Sequence, residues 1–306
     1  MDVTPPIDPR VDGPGARPLA VVEDLDEFAT RVLAPNPSPM TLDGTNTYVL
    51  GVSGTGEVVV VDPGPDDPDH LARVSTVVTQ RDAEVRAVVL THGHADHAEA
   101  AVPWARRFGC EVLAADAAGL VGRVIRDGDC IPVGGVEIQV VGTPGHTRDH
   151  VAFRIPTGAL LTGDHVLGRG TTVIAHPDGD LGSYADSLRR VLDLGPDALF
   201  PGHGPVVVDD PAAVVAFHLA HRRYRAWQVA LACKIVPVTA AQVVERLYPE
   251  ASGVVGRAAR ATVDATLEWL VVHEVVEVTG EGDALHQLVV EPIDVGSQLE
   301  ILLPAR

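Results

Sequence analysis

Lysine, cysteine and aromatic residues are scarce in this chain of 306 residues. Lys234 is its single lysine, and 23 basic against 42 acidic residues leave a formal net charge of −19. Proteins that grip nucleic acid neutralise its phosphates with Lys and Arg, so this acidic balance disfavours a nucleic-acid partner. The three widely spaced cysteines, an odd number, indicate neither a disulfide framework nor a thiolate zinc site. They fit a reducing compartment.

Long apolar runs are also missing. No stretch reaches the roughly 18 apolar residues expected of a membrane span. The segment from Met1 to Pro18 lacks the basic start and apolar run of a secretory signal. We therefore predict a cytoplasmic protein with no membrane partner. Apolar residues make up 46% of the chain and aromatic residues 4%, which predicts a core of Val, Leu, Ile and Ala.

The length predicts one large domain and a smaller one. We predict an irregular segment over residues 1–30, a catalytic domain over residues 31–208, and a helical linker with a small domain over residues 209–306. Short strands and helices alternate in the middle range. Four of its strands end at a Gly-flanked His or Asp, namely His92, His146, Asp164 and His203. Active sites at strand ends are usual in layered α/β folds, so these side chains are predicted to share one site.

The last range has a different character. Asp209 or Asp210 predicts the cap of a helix, and Thr239 the cap of a second one. A third helix is predicted over residues 255–271, with two strands over residues 275–278 and 284–290. Helices followed by a β-hairpin indicate a winged-helix-like domain. We expect it to pack against the catalytic domain and cover part of its pocket, or to form a homodimer contact, rather than to bind DNA.

One short segment carries the strongest chemical signal, reading His-Gly-His-Ala-Asp-His from residue 92 to residue 97. Zinc prefers imidazole and carboxylate ligands. Side chains two residues apart in an extended segment point the same way, so His92 and His94 can bind one ion. His146 can complete this first site.

A second ion fits beside the first. Asp96 and His97 can turn toward it, and His203 can complete its site. Asp164 is the natural bridge, because a carboxylate has two oxygens. The seven predicted metal ligands are His92, His94, Asp96, His97, His146, Asp164 and His203. Two ions about 3.5–4 Å apart would share a water and lower its pKa toward about 7, which yields a bridging hydroxide as the nucleophile.

Asp96, His97 and Asp164 are predicted to be catalytic as well as ligands, and Asp96 can orient the hydroxide or carry its proton. Zinc is the predicted metal, with two ions per chain. Nitrogen and oxygen ligands also bind Mn or Fe, and availability often decides, so the sequence leaves those metals open.

Several neighbours have two interpretations each. Asp62 ends a strand and either hydrogen-bonds a ligand histidine or serves only as a turn residue. The segment Thr45 to Thr47 is a candidate to frame the pocket, His165 to line it, and His176 to meet substrate. The other histidines are predicted to be surface or packing residues, namely His70, His150, His218, His221, His273 and His286.

These residues resemble the signature of the metallo-β-lactamase superfamily. The segment from Thr91 to His97 resembles its first motif, and His146, Asp164 and His203 match the later metal positions in order. The resemblance implies an α+β fold, a four-layer αββα sandwich with the zinc pair at one edge, joined here to a small C-terminal winged-helix-like domain. It covers about residues 33–205.

A closer resemblance is to the beta-lactamase-like protein 2 family. It rests on residues 36–42, Gly44 to Tyr48, Gly170 to Val173 and Pro201 to Pro205. That family also carries a C-terminal winged-helix-like domain. Its mitochondrial animal members are similar to single-strand RNA endonucleases, and fungal relatives act as thioesterases that release polyketides from carrier proteins.

Three functions follow from these observations. The first is a binuclear zinc-dependent hydrolase that uses a metal-bridging hydroxide on a small-molecule ester, thioester or lactone, favoured by the intact site and the acidic charge. The alternative is a single-strand-specific endoribonuclease, favoured by the resemblance and by the arginines after residue 208. The third is a non-enzymatic binding scaffold, which the complete set of ligands disfavours.

Overall fold

The structure is a computed structural model. It describes residues 4–10, 18–115, 122–234, 236–279, 285–288, 295 and 297–299. The turn of the predicted C-terminal hairpin, residues 280–284, and the end of its second strand, residues 289–290, lie outside these described residues.

A seven-stranded sheet is formed by the first part of the chain. Its strands are β1 (Val22–Asp24), β2 (Ala29–Leu33), β3 (Asn46–Leu50), β4 (Glu57–Val61), β5 (Glu84–Val89), β6 (Glu111–Ala114) and β7 (Gly122–Val124). They lie in chain order, antiparallel from β1 to β4 and parallel from β4 to β7. Strand β1 falls inside the segment over residues 1–30 that the composition predicts to be irregular. Its three residues are exposed, so no apolar pattern marks it, and it forms through backbone pairing with β2.

A five-stranded sheet follows. Its strands are β8 (Cys130–Val133), β9 (Val136–Gly142), β10 (Val151–Arg154), β11 (Leu160–Gly163) and β12 (Leu199–Pro201). They lie in the order β12-β11-β10-β9-β8, and only the pair β11 and β12 is parallel.

The helices are α1 (Pro68–Gln80), α2 (Ala95–Ala98), α3 (Ala101–Phe108), α4 (Leu181–Leu194), α5 (Pro211–Ala232), α6 (Ala240–Leu247) and α7 (Gly253–Val272). The predicted caps are confirmed, because Asp210 and Thr239 accept hydrogen bonds from the first turns of α5 and α6. The sequence pattern predicts one helix over residues 97–108, whereas the structure has α2 and α3. Pro103 explains the break, because its ring clashes with the carbonyl four residues earlier in a continuous helix.

Alternate residues of β4 face two different cores. Val59 and Val61 belong to the apolar cluster between the two large sheets, together with Phe153. Val58 and Val60 belong to a cluster with residues of α1 and α3. This is the period of two that a strand buried on both faces shows. A third cluster joins the five-stranded sheet to α4, α5 and α7. The layers therefore run helix, sheet, sheet, helix, which confirms the predicted α+β, αββα sandwich.

The C-terminal part adds β13 (Val238–Thr239), β14 (Val276–Thr279) and β15 (Leu285–Leu288), which form a small sheet in the order β13-β15-β14. The third apolar cluster continues across residue 208, since it contains Leu188, Val215 and Leu267. The C-terminal part thus packs on the sandwich. The winged-helix-like classification and the domain boundary stay predictions. No described helix combines the length and apolar character that crossing a membrane requires.

Candidate metal centre

Polar residues follow the ends of five strands at one edge of the sandwich. Asp62 follows β4, His92 follows β5, His146 follows β9, Asp164 follows β11 and His203 follows β12. Backbone contacts join the two sheets there, because the amide of residue 46 donates to the carbonyl of residue 202 and that of residue 151 to the carbonyl of residue 91. The predicted site is therefore assembled from loops on both sheets.

All seven predicted ligands come together in two clusters of donor atoms. The first cluster consists of His92, His94, His146 and Asp164, and the second of Asp96, His97 and His203. Within each cluster the donor atoms lie within 4.8 Å of one another.

Three imidazole nitrogens converge in the first cluster. His94 Nδ1 lies 3.0 Å from His92 Nε2 and 3.0 Å from His146 Nε2. His146 Nε2 lies 3.6 Å from Asp164 Oδ2. Tetrahedral bonds of about 2.0–2.1 Å to zinc place neighbouring donors about 3.3 Å apart. The donor set and its spacing therefore fit a metal ion.

The second cluster contains two imidazoles and a carboxylate. His203 Nε2 lies 3.2 Å from His97 Nε2 and 3.2 Å from Asp96 Oδ2. Asp164 Oδ1 lies 3.3 Å from His203 Nε2 and 3.4 Å from His97 Nε2. Both distances exceed the usual 2.7–3.2 Å or so of an N–H···O hydrogen bond. One oxygen of Asp164 thus faces each cluster, as a carboxylate shared by two cations would.

The outer nitrogens of three imidazoles have fixed acceptors. His97 Nδ1 donates to Asp62 Oδ2 at 2.9 Å. His146 Nδ1 and His203 Nδ1 donate to backbone carbonyl oxygens at 2.6 and 3.2 Å. In a neutral imidazole, such partners select the tautomer with the proton on Nδ1, which leaves the Nε2 lone pair for a metal. The protein thereby aims three lone pairs into the two clusters.

Asp62 is anchored in turn. The backbone N–H of Thr91 donates to its Oδ1 at 2.8 Å, and the Thr91 hydroxyl donates to its Oδ2 at 2.7 Å. The prediction that Asp62 hydrogen-bonds one of the proposed ligand histidines is confirmed by its contact with His97.

The charges in the centre are mutually dependent. Burial favours the neutral form of His97, yet the carboxylates of Asp164 and Asp62 raise its pKa well above the usual value. Burial likewise opposes ionisation of Asp164, but the imidazoles of His203 and His97 hold its pKa well below the usual value. In the first cluster, burial lowers the pKa of His146 to about 4, so its lone pair is available at neutral pH.

The residues predicted to frame the pocket support its floor instead. The hydroxyl of Thr45 donates to the carbonyl of Asp96 at 2.9 Å, and that of Thr47 to the carbonyl of Asp62 at 2.7 Å. The Asn46 amide donates to the carbonyls of residues 201 and 204, both at 2.8 Å. These bonds fix the loops that carry the second cluster.

Three other histidines have positions or contacts that the sequence does not predict. His165 is fully buried against Tyr184 and does not line the cavity, and His176 lies away from it, 3.1 Å from a glutamate of α7. His150, predicted to be a surface or packing residue, is buried and accepts a hydrogen bond from the backbone N–H of Asp164 at 3.1 Å. It therefore positions the shared carboxylate, a role that no sequence motif signals.

A cavity of about 790 Å³ lies over the centre, with His94, Asp96, His146 and Asp164 at its floor. Apolar side chains form much of the wall: Pro39, Met40, Leu42, Ala95, Leu167, Val173, Ala175, Val255, Ala258 and Ala259. Helices α5 and α7 contribute one side of this wall, so the C-terminal part covers part of the pocket, as the sequence predicts. His221, predicted to be a surface or packing residue, is on this wall with Arg222 and Arg225.

Known proteins are similar to this chain in sequence and in fold. Residues 40–121 and 113–203 match the family described as the Metallo-beta-lactamase superfamily. The chain is 31% identical over 266 residues to a beta-lactamase-like protein 2 homolog of Caenorhabditis elegans, covering 84% of this chain and 88% of the relative. It is 34% identical over 220 residues to an atrochrysone carboxyl ACP thioesterase of Aspergillus fumigatus, covering 70% of this chain and 67% of the relative.

One solved structure extends the likeness to the C-terminal part. A beta-lactamase domain protein from Burkholderia ambifaria superposes with a TM-score of 0.75 at 22% identity, covering 92% of this chain and 98% of the other. Residues 1–208 are only 208 of the 306 positions, so the shared fold continues beyond them.

Proposed function

The chain belongs to the metallo-beta-lactamase superfamily and is a hydrolase of that family, and we propose that it uses two zinc ions to hydrolyse small esters, thioesters or lactones. The observation that carries the proposal is the orientation of Asp164. Its two oxygens face two separate clusters of donors, at 3.6 Å from His146 and 3.3 Å from His203. A bridging carboxylate between two ions requires this arrangement.

The residues around the cavity support hydrolysis by water. Neither serine nor cysteine is among the described residues that line it, so no side-chain nucleophile of those types faces a substrate there. Two divalent ions, when bound, supply Lewis acidity and lower the pKa of coordinated water toward about 7. Asp96, whose side chain is 31% exposed at the cavity floor, is placed to orient that water and accept its proton.

The cavity supports a small acyl substrate. About 790 Å³ lies within the usual range of about 300–1,000 Å³ for small-molecule sites. Its walls are largely apolar, which suits an acyl chain. The fungal relative's name assigns to that protein the cleavage of a carrier-bound thioester, and we extend the thioester class to this chain.

The test is turnover of a thioester, ester and lactone panel by metal-free protein reloaded with zinc, manganese or iron. We expect hydrolysis that needs metal, is highest with zinc and reaches full rate at two ions per chain. Asp164→Asn serves as the inactive comparison. Activity in the fully chelated protein, or the lack of turnover across the whole panel with every metal, would contradict the proposal.

The endoribonuclease alternative is favoured by the family resemblance and by the arginines after residue 208, but Arg222 and Arg225 of α5 lie on the wall of the cavity beside apolar side chains. Incubation of the zinc form with single-stranded RNA decides it, and cleavage that persists in Asp164→Asn comes from a contaminant. A cytoplasmic location and a homodimer stay predictions.

A further inference from the structure

One face of α5 presents basic side chains to the cavity. The basic wall consists of His221, Arg222 and Arg225. Arg225 lies three residues after Arg222 and four after His221, and both spacings place side chains next to each other on a helix surface. All three line the same cavity as Asp96 and Asp164. The basic wall is therefore part of the substrate's surroundings, although the chain as a whole has a net charge of −19.

Each side chain of the basic wall has one buried nitrogen that is not used. Arg225 Nη2, Arg222 Nε and His221 Nδ1 are buried and have no hydrogen-bond partner among the described residues. Among the described residues, neither Arg222 nor Arg225 forms an ion pair. Arg169, which also lines the cavity, contrasts with them because its guanidinium lies 2.9 Å from Asp43.

The two guanidinium groups are nevertheless held in place. Arg222 is 3% exposed, lies 5.1 Å from the ring centroid of Tyr184 and donates to the carbonyl of Thr172. Arg225 lies 4.2 Å from the ring centroid of Tyr248, and its Nε donates to the Tyr248 hydroxyl at 3.2 Å. Cation–π contacts stabilise these charges only partly. A buried cation without an anion is costly, so this position favours a ligand that brings one.

We propose that the basic wall binds an anionic group of the substrate, a carboxylate or a phosphate, while the bond to be cleaved lies at the metal centre. The planar fork of Arg matches both groups in geometry and charge. This inference rests on the proposed function and specifies its substrate class: acyl esters or thioesters that carry a negative group at a distance from the reacting carbonyl.

Matched substrate pairs test the basic wall in the zinc-loaded full chain. Glutaryl and pentanoyl thioesters of N-acetylcysteamine differ only by a terminal carboxylate in place of a methyl group. Acetyl thioesters of pantetheine with and without the 4′-phosphate place the charge on the leaving group instead. We expect kcat/KM to be at least about tenfold higher for the charged member of one pair, and that pair identifies the anion and its side of the scissile bond.

Arg225→Gln is the diagnostic variant and Arg223→Gln its control, because Arg223 lies on the same helix but does not line the cavity. Arg225→Gln should remove the preference through a roughly tenfold rise in KM for the charged member, with a much smaller change for the uncharged one. Arg223→Gln should behave as the wild type. Equal kcat/KM within both pairs, or equal losses on charged and uncharged members, would overturn the proposal.

A binding measurement separates this inference from the proposed function. If no ester, thioester or lactone of the panel is turned over, the proposed function fails, but calorimetric titration with glutarate and with 4′-phosphopantetheine still tests the basic wall. At least one should bind, and bind about tenfold more weakly to Arg225→Gln. Binding of neither overturns the inference. A second result would also overturn the inference: a short single-stranded RNA that binds the wild type and whose binding depends more strongly on Arg225 than that of either probe. That result would assign the basic wall to nucleic acid.

Discussion

The metal centre and the basic wall face the same cavity, but the protein supplies hydrogen-bond partners to their side chains to different degrees. At the metal centre, His97, His146 and His203 each have a fixed acceptor for the outer nitrogen. At the basic wall, Arg222 and Arg225 are held by aromatic rings yet keep buried N–H groups without an acceptor. The protein thus positions its proposed metal ligands by itself, whereas the wall has donors left over for a substrate. Changes at the two regions should therefore have different signatures.

The largest effect is expected for Asp164→Asn. Asparagine offers only one oxygen, and its amide nitrogen does not bind cations, so one of the two clusters loses a ligand. Metal polarisation contributes several kcal/mol and each 1.36 kcal/mol is tenfold in rate, so kcat/KM should fall about 1,000-fold. Steady-state kinetics and metal content by mass spectrometry measure this. Asp186→Asn, on an exposed residue of α4, is the control, and a variant with more than a tenth of wild-type activity would contradict the assignment.

Metal removal is expected to destabilise the fold in both the wild type and the basic-wall variant. Ions that bind only the folded chain stabilise it by about 2.7 kcal/mol at a hundred times the dissociation constant. Chelation should therefore lower Tm by several degrees, and zinc should restore it. Calorimetry on the wild type and Arg225→Gln checks this. Equal shifts indicate that the two regions are independent, and a Tm that chelation leaves unchanged speaks against a metal centre.

Asp62→Asn should act on one cluster alone. The change weakens the hydrogen bond that fixes His97, and losing such a partner typically costs about 10–100-fold in metal affinity. Zinc titration should show one weakened site of two, with activity recovered at excess zinc. The exposed Asp66, substituted to Asn, provides the control. A uniform loss at both sites would show that Asp62 supports the whole edge and not His97.

These regions also differ in how far the sequence predicts them. The metal centre could be predicted because its ligands are concentrated in one short motif and at Gly-flanked strand ends, and the strands follow from apolar periods. The supporting roles of His150 and Asn46 could not, because their partners are backbone groups 14 and more than 150 residues away. The same holds for the basic wall: the run from His221 to Arg225 reads as a basic patch, and only packing against the sandwich shows which of its residues face the cavity.

The environment of the basic wall makes a pH-dependent prediction. Burial first, then the cations of Arg222, Arg225 and Arg10, lower the pKa of His221 to about 3, and only Asp8 opposes them. The unfolded chain has the ordinary value of about 6.5. Because the folded value is lower, the stability linked to His221 is present above about pH 6.5 and is lost as the pH falls. Between pH 7 and pH 5.5 the free energy of unfolding should fall by about 1 kcal/mol more in the wild type than in His221→Gln. Urea titration at the two pH values measures this. An equal fall in both proteins would mean that the His221 side chain is exposed to water.

The smallest effect is expected for Tyr248→Phe. This variant keeps the charge of Arg225 but removes one of the contacts that hold it in position. The variant keeps the ring 4.2 Å from the Arg225 guanidinium but removes the hydroxyl that accepts from Arg225 Nε at 3.2 Å. One hydrogen bond contributes about 0.5–1.5 kcal/mol, and only part of this should reach the substrate. KM for the charged thioester should therefore rise about threefold, with kcat and the uncharged thioester unchanged. A loss of kcat would mean that the basic wall influences the reacting carbonyl and that the two regions act as one site.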